Sequence, residues 1–167
     1  MMRRYRYVGP PAIRSQADAG IPRLQLQRHH RLRDLREALE LDAGRDPLVL
    51  TFVVDAEGRL WVSDRRAEHV ACARGEDVLA AGELTLAENP GLQVMAASNQ
   101  STGYCPEPAS WQALAAALRS AGIPHPTGFE HAFQFRRCVR CRAIVLIKDD
   151  VYECTECAAP LPETWNF

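Results

Sequence analysis

Four cysteines near the end of the chain constrain it more than any other feature. Cys138-Val139-Arg140-Cys141 and Cys154-Thr155-Glu156-Cys157 are two CxxC pairs with twelve residues between them. Two residues between cysteines let both thiolates turn toward one point from a tight backbone knuckle. Two such knuckles supply a tetrahedral four-sulfur metal site. Disulfide frameworks belong to small, cysteine-dense secreted chains, and six cysteines in 167 residues do not make one. The spacing therefore predicts reduced thiols and a reducing, cytoplasmic compartment, with Cys72 and Cys105 free. Zn2+ suits an all-thiolate site in a chain with no other redox feature. Four protein ligands leave no open coordination position, so the ion is expected to be structural. It would replace a core that about forty residues cannot build.

Between the knuckles, Ala143–Ile147 reads as an apolar strand, Lys148-Asp149-Asp150 as a turn and Val151–Glu153 as the return. Strand, turn and strand between two CxxC knuckles resemble a zinc ribbon, and more loosely a rubredoxin-like knuckle pair. The resemblance implies a four-cysteine zinc site on Cys138, Cys141, Cys154 and Cys157. Many such knuckles place Gly just after the second Cys; here those positions hold Arg142 and Ala158. From His125 to Phe167 there are five Arg or Lys and six Asp or Glu, with Arg136, Arg137, Arg140 and Arg142 clustered at the first knuckle. Nucleic-acid affinity rests largely on phosphate neutralisation, and this unit is balanced, so protein docking or packing on the rest of the chain fits better. Trp165 and Phe167 in the apolar tail suggest a tied-down segment.

The whole chain carries a formal charge of −1 and is 47% hydrophobic and 25% charged, which excludes a globally basic nucleic-acid binder and an acidic tail. No apolar run approaches ~18 residues, and no apolar stretch follows the positive start as a secretory signal requires. Nineteen of the twenty basic residues are Arg; with the abundant Ala, this reads as the codon bias of a GC-rich bacterial genome.

Residues 1–28 read as an irregular basic arm, with Tyr5, Tyr7 and Val8 able to form a short strand. Residues 29–124 read as an α+β domain and 125–167 as the zinc ribbon. A helix is expected over His29 to Ala43, from Leu32, Leu35 and Leu39 at helical spacing, with Gly44 as its stop. Leu48–Val54 and Arg59–Ser63 form a hairpin. Val78–Leu86 and Leu92–Ala97 form a second, with Pro90 and Gly91 at the centre of a type II turn. About four antiparallel strands follow. Pro106–Ala121 is the best helix, with Trp111, Leu114, Ala115 and Leu118 on one face and Gly122 as its C-terminal stop. The expected fold class is α+β: a small antiparallel sheet flanked by two helices, with a C-terminal zinc ribbon.

The second hairpin brings Glu83 and Asn99 to one rim of the sheet, with His69 and Tyr104 beside it. The Ser98–Pro106 loop then runs into a helix N-terminus, a place that suits an anion. The string running from His69 through Ala80-Ala81-Gly82-Glu83 to Asn99-Gln100-Ser101-Thr102-Gly103-Tyr104-Cys105-Pro106 resembles a module of bacterial polymorphic-toxin and effector proteins, with His, "AAGE" and "N-x-S-G-x-Y-x-P" in that order. Thr102 is an extra residue in that pattern, and Cys105 follows Tyr104 directly. The resemblance puts His69, Glu83, Asn99, Ser101, Gly103, Tyr104 and Pro106 at the module's recognisable positions. The rim itself makes His69, Glu83, Asn99 and Tyr104 the candidate site, with Ser101, Thr102 and Cys105 as ligand-binding neighbours. Each residue also has a plainer reading. His69 can be a satisfied histidine, Asn99 and Ser101 turn or capping residues, and Tyr104 a packed ring. Cys105 can be an inert thiol, or a nucleophile of lowered pKa with His69 as its base.

Three functions follow. The first is a zinc-stabilised bacterial binding or accessory module for a protein or small anionic ligand, docking through the 98–106 loop. The second is a toxin- or effector-like enzyme using His69, Glu83, Asn99 and Tyr104 on a nucleotide-like or acyl substrate. The third, weaker on charge grounds, is nucleic-acid binding through the ribbon and the Arg-rich arm.

Overall fold

The structure, a computed structural model, describes residues 1–167. Short helix α1 (Pro11–Arg14) and a 3-10 turn over Ser15–Asp18 precede strand β1 (Leu24–Gln25) and helix α2 (Leu32–Ala38). Strands β2 (Leu48–Asp55) and β3 (Leu60–Asp64), helix α3 (His69–Cys72) and strands β4 (Val78–Glu88) and β5 (Leu92–Ser98) follow. Helix α4 (Trp111–Ala121) closes the first part, and β6 (Phe135–Arg137) and β7 (Ile144–Leu146) belong to the second. The main sheet is antiparallel with order β1-β3-β2-β4-β5, and β6 and β7 form a separate pair. This is an α+β fold. No helix is long and apolar enough to cross a membrane.

Strand β2 is apolar without alternation because it is central and covered on both faces. Leu50, Phe52 and Val54 face one core with Leu84 and Leu86, against Leu114 and Leu118 of α4 and Leu35 of α2. Val53 faces the other, with Tyr5, Val70, Cys72, Val78, Ala81 and Tyr104. The second core exists because the first 28 residues are tied down. Tyr5 exchanges backbone hydrogen bonds with Val78 at 2.7 and 2.9 Å, and Val8 N–H donates to Gly103 O at 2.7 Å. β1 pairs with β3 and adds a fifth strand to the four expected. A two-residue strand leaves too little periodicity to be read in advance.

Three local expectations change. The return strand expected over Val151–Glu153 is reduced to isolated bridges, Lys148 with Val151 and Glu153 with Pro160, and β7 pairs instead with β6 ahead of the first knuckle. Helix α2 is shorter than residues 29–43, because Arg31 N–H donates to the Asp34 carboxylate at 2.8 Å to start it. Glu40, at φ 55°, ends it: Leu41 N–H reaches Arg36 O at 2.8 Å and Glu40 N–H reaches Glu37 O at 3.1 Å. That is a Schellman stop with Glu where Gly is usual, and Gly44 lies beyond it. The β4–β5 turn is not type II, since Asn89–Pro90 is cis and Gly91 lacks the positive φ that type requires. Helix α4 closes as expected on Gly122, at φ 71°, with Ile123 N–H on Leu118 O.

Gly82 explains part of the Ala-Ala-Gly-Glu string. A Cβ there would sit 1.9 Å from Ser98 O and 2.8 Å from its carbonyl carbon. The backbone of Ser98 comes that close because β5 leaves the sheet there. Gly82→Ala should therefore cost at least ~1–3 kcal/mol, the usual cost of overpacking a rigid site, measured by urea denaturation. An unchanged midpoint would show that this strand end is soft.

Candidate functional site

The two knuckles are built alike. In the first, Cys138 N–H donates to Ala143 O at 2.8 Å and Arg142 N–H to Cys138 O at 3.0 Å. In the second, Cys154 N–H donates to Ala159 O at 2.8 Å and Ala158 N–H to Cys154 O at 2.8 Å. Each turn aims its two sulfurs inward. Sγ of Cys138 lies 3.6 Å from that of Cys157, and Sγ of Cys141 lies 3.6 Å from that of Cys154. All four sulfurs lie within 4.8 Å of one another. A disulfide would need ~2.05 Å, and no cysteine in the chain is bonded to another. A tetrahedral ion with metal–sulfur bonds of ~2.3 Å has sulfur edges of ~3.8 Å, so the donor set fits such an ion. The Cys141 and Arg140 amides point at the Cys138 sulfur and bring its thiol down to about 6, while, against the Ala143 amide, desolvation and the three neighbouring sulfurs push the Cys141 thiol up to about 12. Val145, Ala159 and Leu161 form a small core behind the sulfurs. With four sulfurs converging and no fifth donor, the arrangement can hold a metal and clamp the backbone, but it offers no position for a substrate.

The missing glycines are visible here. Arg142 has φ 69° and Ala158 φ 57°, so both knuckles take the left-handed turn with a side chain that disfavours it. That conformation costs an L-residue ~1–2 kcal/mol. Ala158→Gly is expected to raise stability by a few tenths to ~1 kcal/mol, the relief offset by added unfolded-state entropy. A lower melting temperature for the metal-loaded variant would contradict this.

The polar rim is assembled differently. His69 Nε2 donates to Gly82 O at 3.0 Å, and Glu83 pairs with Ser98 across the strands, so His69, Glu83 and Asn99 do meet at one end of the sheet. Their polar atoms point to backbone or solvent rather than to a common space. Asn99 is fully buried. Its amide donates to Pro106 O at 2.9 Å and Phe133 O at 2.8 Å, and its oxygen accepts from Phe133 N–H at 2.6 Å. Tyr104 is buried among the second core, its hydroxyl donating to Glu76 O at 2.8 Å. Ser101 Oγ accepts from Tyr104 N–H at 3.3 Å. Glu83 is half exposed and 3.7 Å from Arg65, and Thr102 is exposed. The five main clefts, of 120 to 620 Å³, are lined by none of His69, Glu83, Asn99 and Tyr104.

The thiols differ from the expectation of an activated cysteine. Burial pushes Cys105 up to about 12 and Cys72 up to about 11. Burial outweighs the Arg137 charge at Cys105, and its S–H points to Thr102 O at 3.5 Å.

His69 provides a pH test. Burial lowers its pKa, with the Gly82 carbonyl opposing, so the folded form holds the ring neutral. Below ~6.5, the usual imidazole value, the unfolded chain binds the extra proton. Stability should then fall as the pH drops through that value toward the folded pKa, with a slope of at most ~1.4 kcal/mol per pH unit for one proton. The difference in unfolding free energy between wild type and His69→Gln, followed from neutral to mildly acidic pH, isolates this from thiolate protonation. A difference constant with pH would mean the ring charges freely in the fold.

Sequence reasoning missed Arg136 as anything but one of a basic cluster. It is 1% exposed and forks onto Glu107, at 2.7 Å to Oε1 and 3.3 Å to Oε2. It also donates to Phe135 O and Glu163 O at 2.6 and 2.7 Å. The expected tie-down of the tail is present: Trp165 Nε1 donates to Cys105 O at 2.8 Å, and Asn166 brackets Arg137 N–H and C=O at 2.9 and 2.7 Å. Asn99, Arg136 and Trp165, with Arg137 donating to Val8 O at 3.0 Å, thus join the four-cysteine unit to the sheet, its loops and the arm. Compared with protein-family models, with curated proteins and with solved structures, the chain matches none.

Proposed function

We propose that this chain is a non-enzymatic binding or accessory module, held in shape by one structural Zn2+ on Cys138, Cys141, Cys154 and Cys157. It divides into a basic arm (1–28), an α+β body (29–124) and a metal-bearing unit (125–167). The observation that carries the reading is the convergence of four sulfurs, two pairs of them 3.6 Å apart and all within 4.8 Å, in a closed donor set. Thiolate ligands favour Zn2+ over harder ions, and free thiols elsewhere suit a reducing cytoplasm. The ligand is a protein or a small anion. Among the loop residues, Gln100 and Thr102 are exposed, while His69, Asn99 and Tyr104 hold backbone partners. An enzyme using those three would first have to break these bonds.

Elemental analysis of the purified protein tests the reading, with one zinc per chain expected. Absence of any transition metal, or stoichiometric iron with the charge-transfer colour of an iron–thiolate centre, would overturn the zinc assignment. Turnover of a nucleotide or acyl ester by the metal-loaded protein, abolished by His69→Gln, would overturn the non-enzymatic part.

A further inference from the structure

Arg31, Arg33, Arg36, Arg59, Arg65 and Arg66 in the body and Arg136 beside the first knuckle each lie within 4.0 Å of a carboxylate. The arginines without an ion pair are spread over the molecule, Arg45, Arg74 and Arg119 in the body among them. Three of them, Arg6, Arg137 and Arg142, meet on the face shared by the arm, the first knuckle and the tail.

A cleft of about 620 Å³ opens on that face. Arg6 and Tyr7 come from the arm, Arg137 and Arg142 from the knuckle, and Asn166 and Phe167 from the tail; no carboxylate side chain lines it. Arg6 and Arg142 are exposed, and their side chains make no hydrogen bond, so their donors are free. Arg137 is held in place by Val8 O and Arg142 O at 3.0 and 3.2 Å.

Aromatic rings alternate with these cations. Arg137 lies 5.2 Å from the Phe167 ring centre, Arg3 lies 5.1 Å from Trp165 and Arg14 lies 5.9 Å from Tyr7. Trp165 and Phe167 are 5.5 Å apart, so Arg3, Trp165, Phe167 and Arg137 run in one strip that starts beside the cleft and enters it at Phe167, with Tyr7 also lining the cleft. All three rings are partly exposed. Unpaired guanidinium groups suit phosphates, and ring faces suit unstacked bases. Alternation of the two is what a single-stranded nucleic acid uses. An acidic peptide would need the cations but not the rings.

We infer that this cleft binds single-stranded nucleic acid, its phosphates on Arg6, Arg137 and Arg142 and its bases on Phe167, Trp165 and Tyr7. The surface is not the hairpin tip of the metal unit, where Asp149 and Asp150 sit. The inference rests on the reading of a metal-held binding module and goes beyond it in ligand class, with a nucleic-acid strand in place of a protein or a small anion.

The test uses the full, metal-loaded chain and fluorescence anisotropy of labelled oligouridine and oligothymidine of about 15 nucleotides, long enough for such a site. Saturable binding of either strand is expected, and which one binds better tells RNA from DNA as the source. With three phosphates neutralised, affinity should fall about 20-fold from about 50 to about 200 mM salt. Arg6→Gln with Arg142→Gln should lower affinity about tenfold and flatten that dependence, with melting unchanged because neither side chain has a partner in the fold. Phe167→Ala, which leaves the charge intact, should lower affinity about fivefold or more. Arg33→Gln, on α2, should change nothing.

No binding of either strand by zinc-loaded protein would overturn the inference while leaving the metal reading intact. Equal affinity for a duplex, equal affinity for polyglutamate, or indifference to the double substitution would each overturn it too. A preparation without zinc that still bound would separate failure of the metal reading from failure of this one.

Discussion

Stripping the metal with a strong chelator is expected to melt the four-cysteine unit and leave the five-stranded sheet folded. The reason lies in how the cores divide. The main core of 22 buried residues contains nothing beyond Ile123, whereas the core behind the sulfurs has five members, two of them ligand cysteines. Five small buried residues cannot offset the ordering entropy of some thirty. Structural zinc contributes ~10–16 kcal/mol of apparent binding free energy in small peptides at neutral pH, and that is folding free energy. Cys154→Ser should therefore reproduce the effect of the chelator. Hydrogen exchange reads the result by location. The amides of Cys138, Arg142, Cys154 and Ala158, bonded in the two knuckles, should lose protection. Those of Phe52 and Leu84 in β2 and β4 should keep most of theirs. Uniform loss across the chain, or no change anywhere, would be inconsistent with this division.

Glu107→Ala should be the most damaging single substitution outside the metal site. It leaves the Arg136 guanidinium, 1% exposed, without its counter-charge at the seam between α4 and β6. Breaking one side of a buried ion pair costs ~3–5 kcal/mol. Replacing both partners with apolar residues, as in Glu107→Leu with Arg136→Met, should recover part of that. Recovery should be incomplete, because the carbonyls of Phe135 and Glu163 lose their donors. Urea unfolding of the metal-loaded proteins compares the three. A single substitution costing under ~1 kcal/mol would mean that water reaches the pair and screens it.

Much of the architecture was readable from local pattern. Both hairpins, helix α4 with its Gly122 stop, and the knuckle spacing are each fixed by a few neighbouring residues. The CxxC pairs were the most legible element because their geometry is almost wholly local: two residues of turn decide where both sulfurs point. Even the positions lacking Gly marked the left-handed turns, which the backbone adopts at Arg142 and Ala158.

The polar rim was legible only as a gathering of residues. Sequence order placed His69, Glu83 and Asn99 near one another, and the sheet does so. Sequence could not say what each polar atom would face. Asn99 fastens to Phe133, 34 positions away, and the Tyr104 hydroxyl to Glu76, 28 positions away. The same string would look identical if those atoms lined a pocket. Arg136 and Arg142 illustrate the point again. They sit six positions apart in one basic cluster, yet one is buried on Glu107 and the other is exposed without a partner.

By itself, then, the sequence determined which four sulfurs converge as a donor set, the two main hairpins and helix α4, and that strands and helices would combine in one α+β chain. Turn geometry, periodicity and ligand chemistry act over a handful of bonds, so composition and spacing suffice. Tertiary structure alone decided that the first residues complete a second core, that the rim's polar groups act as fasteners, and that Arg6, Arg137 and Arg142 share one cleft. Each of these depends on which distant groups meet, and an electrostatic or hydrogen-bond partner is chosen by position in space rather than by order along the chain.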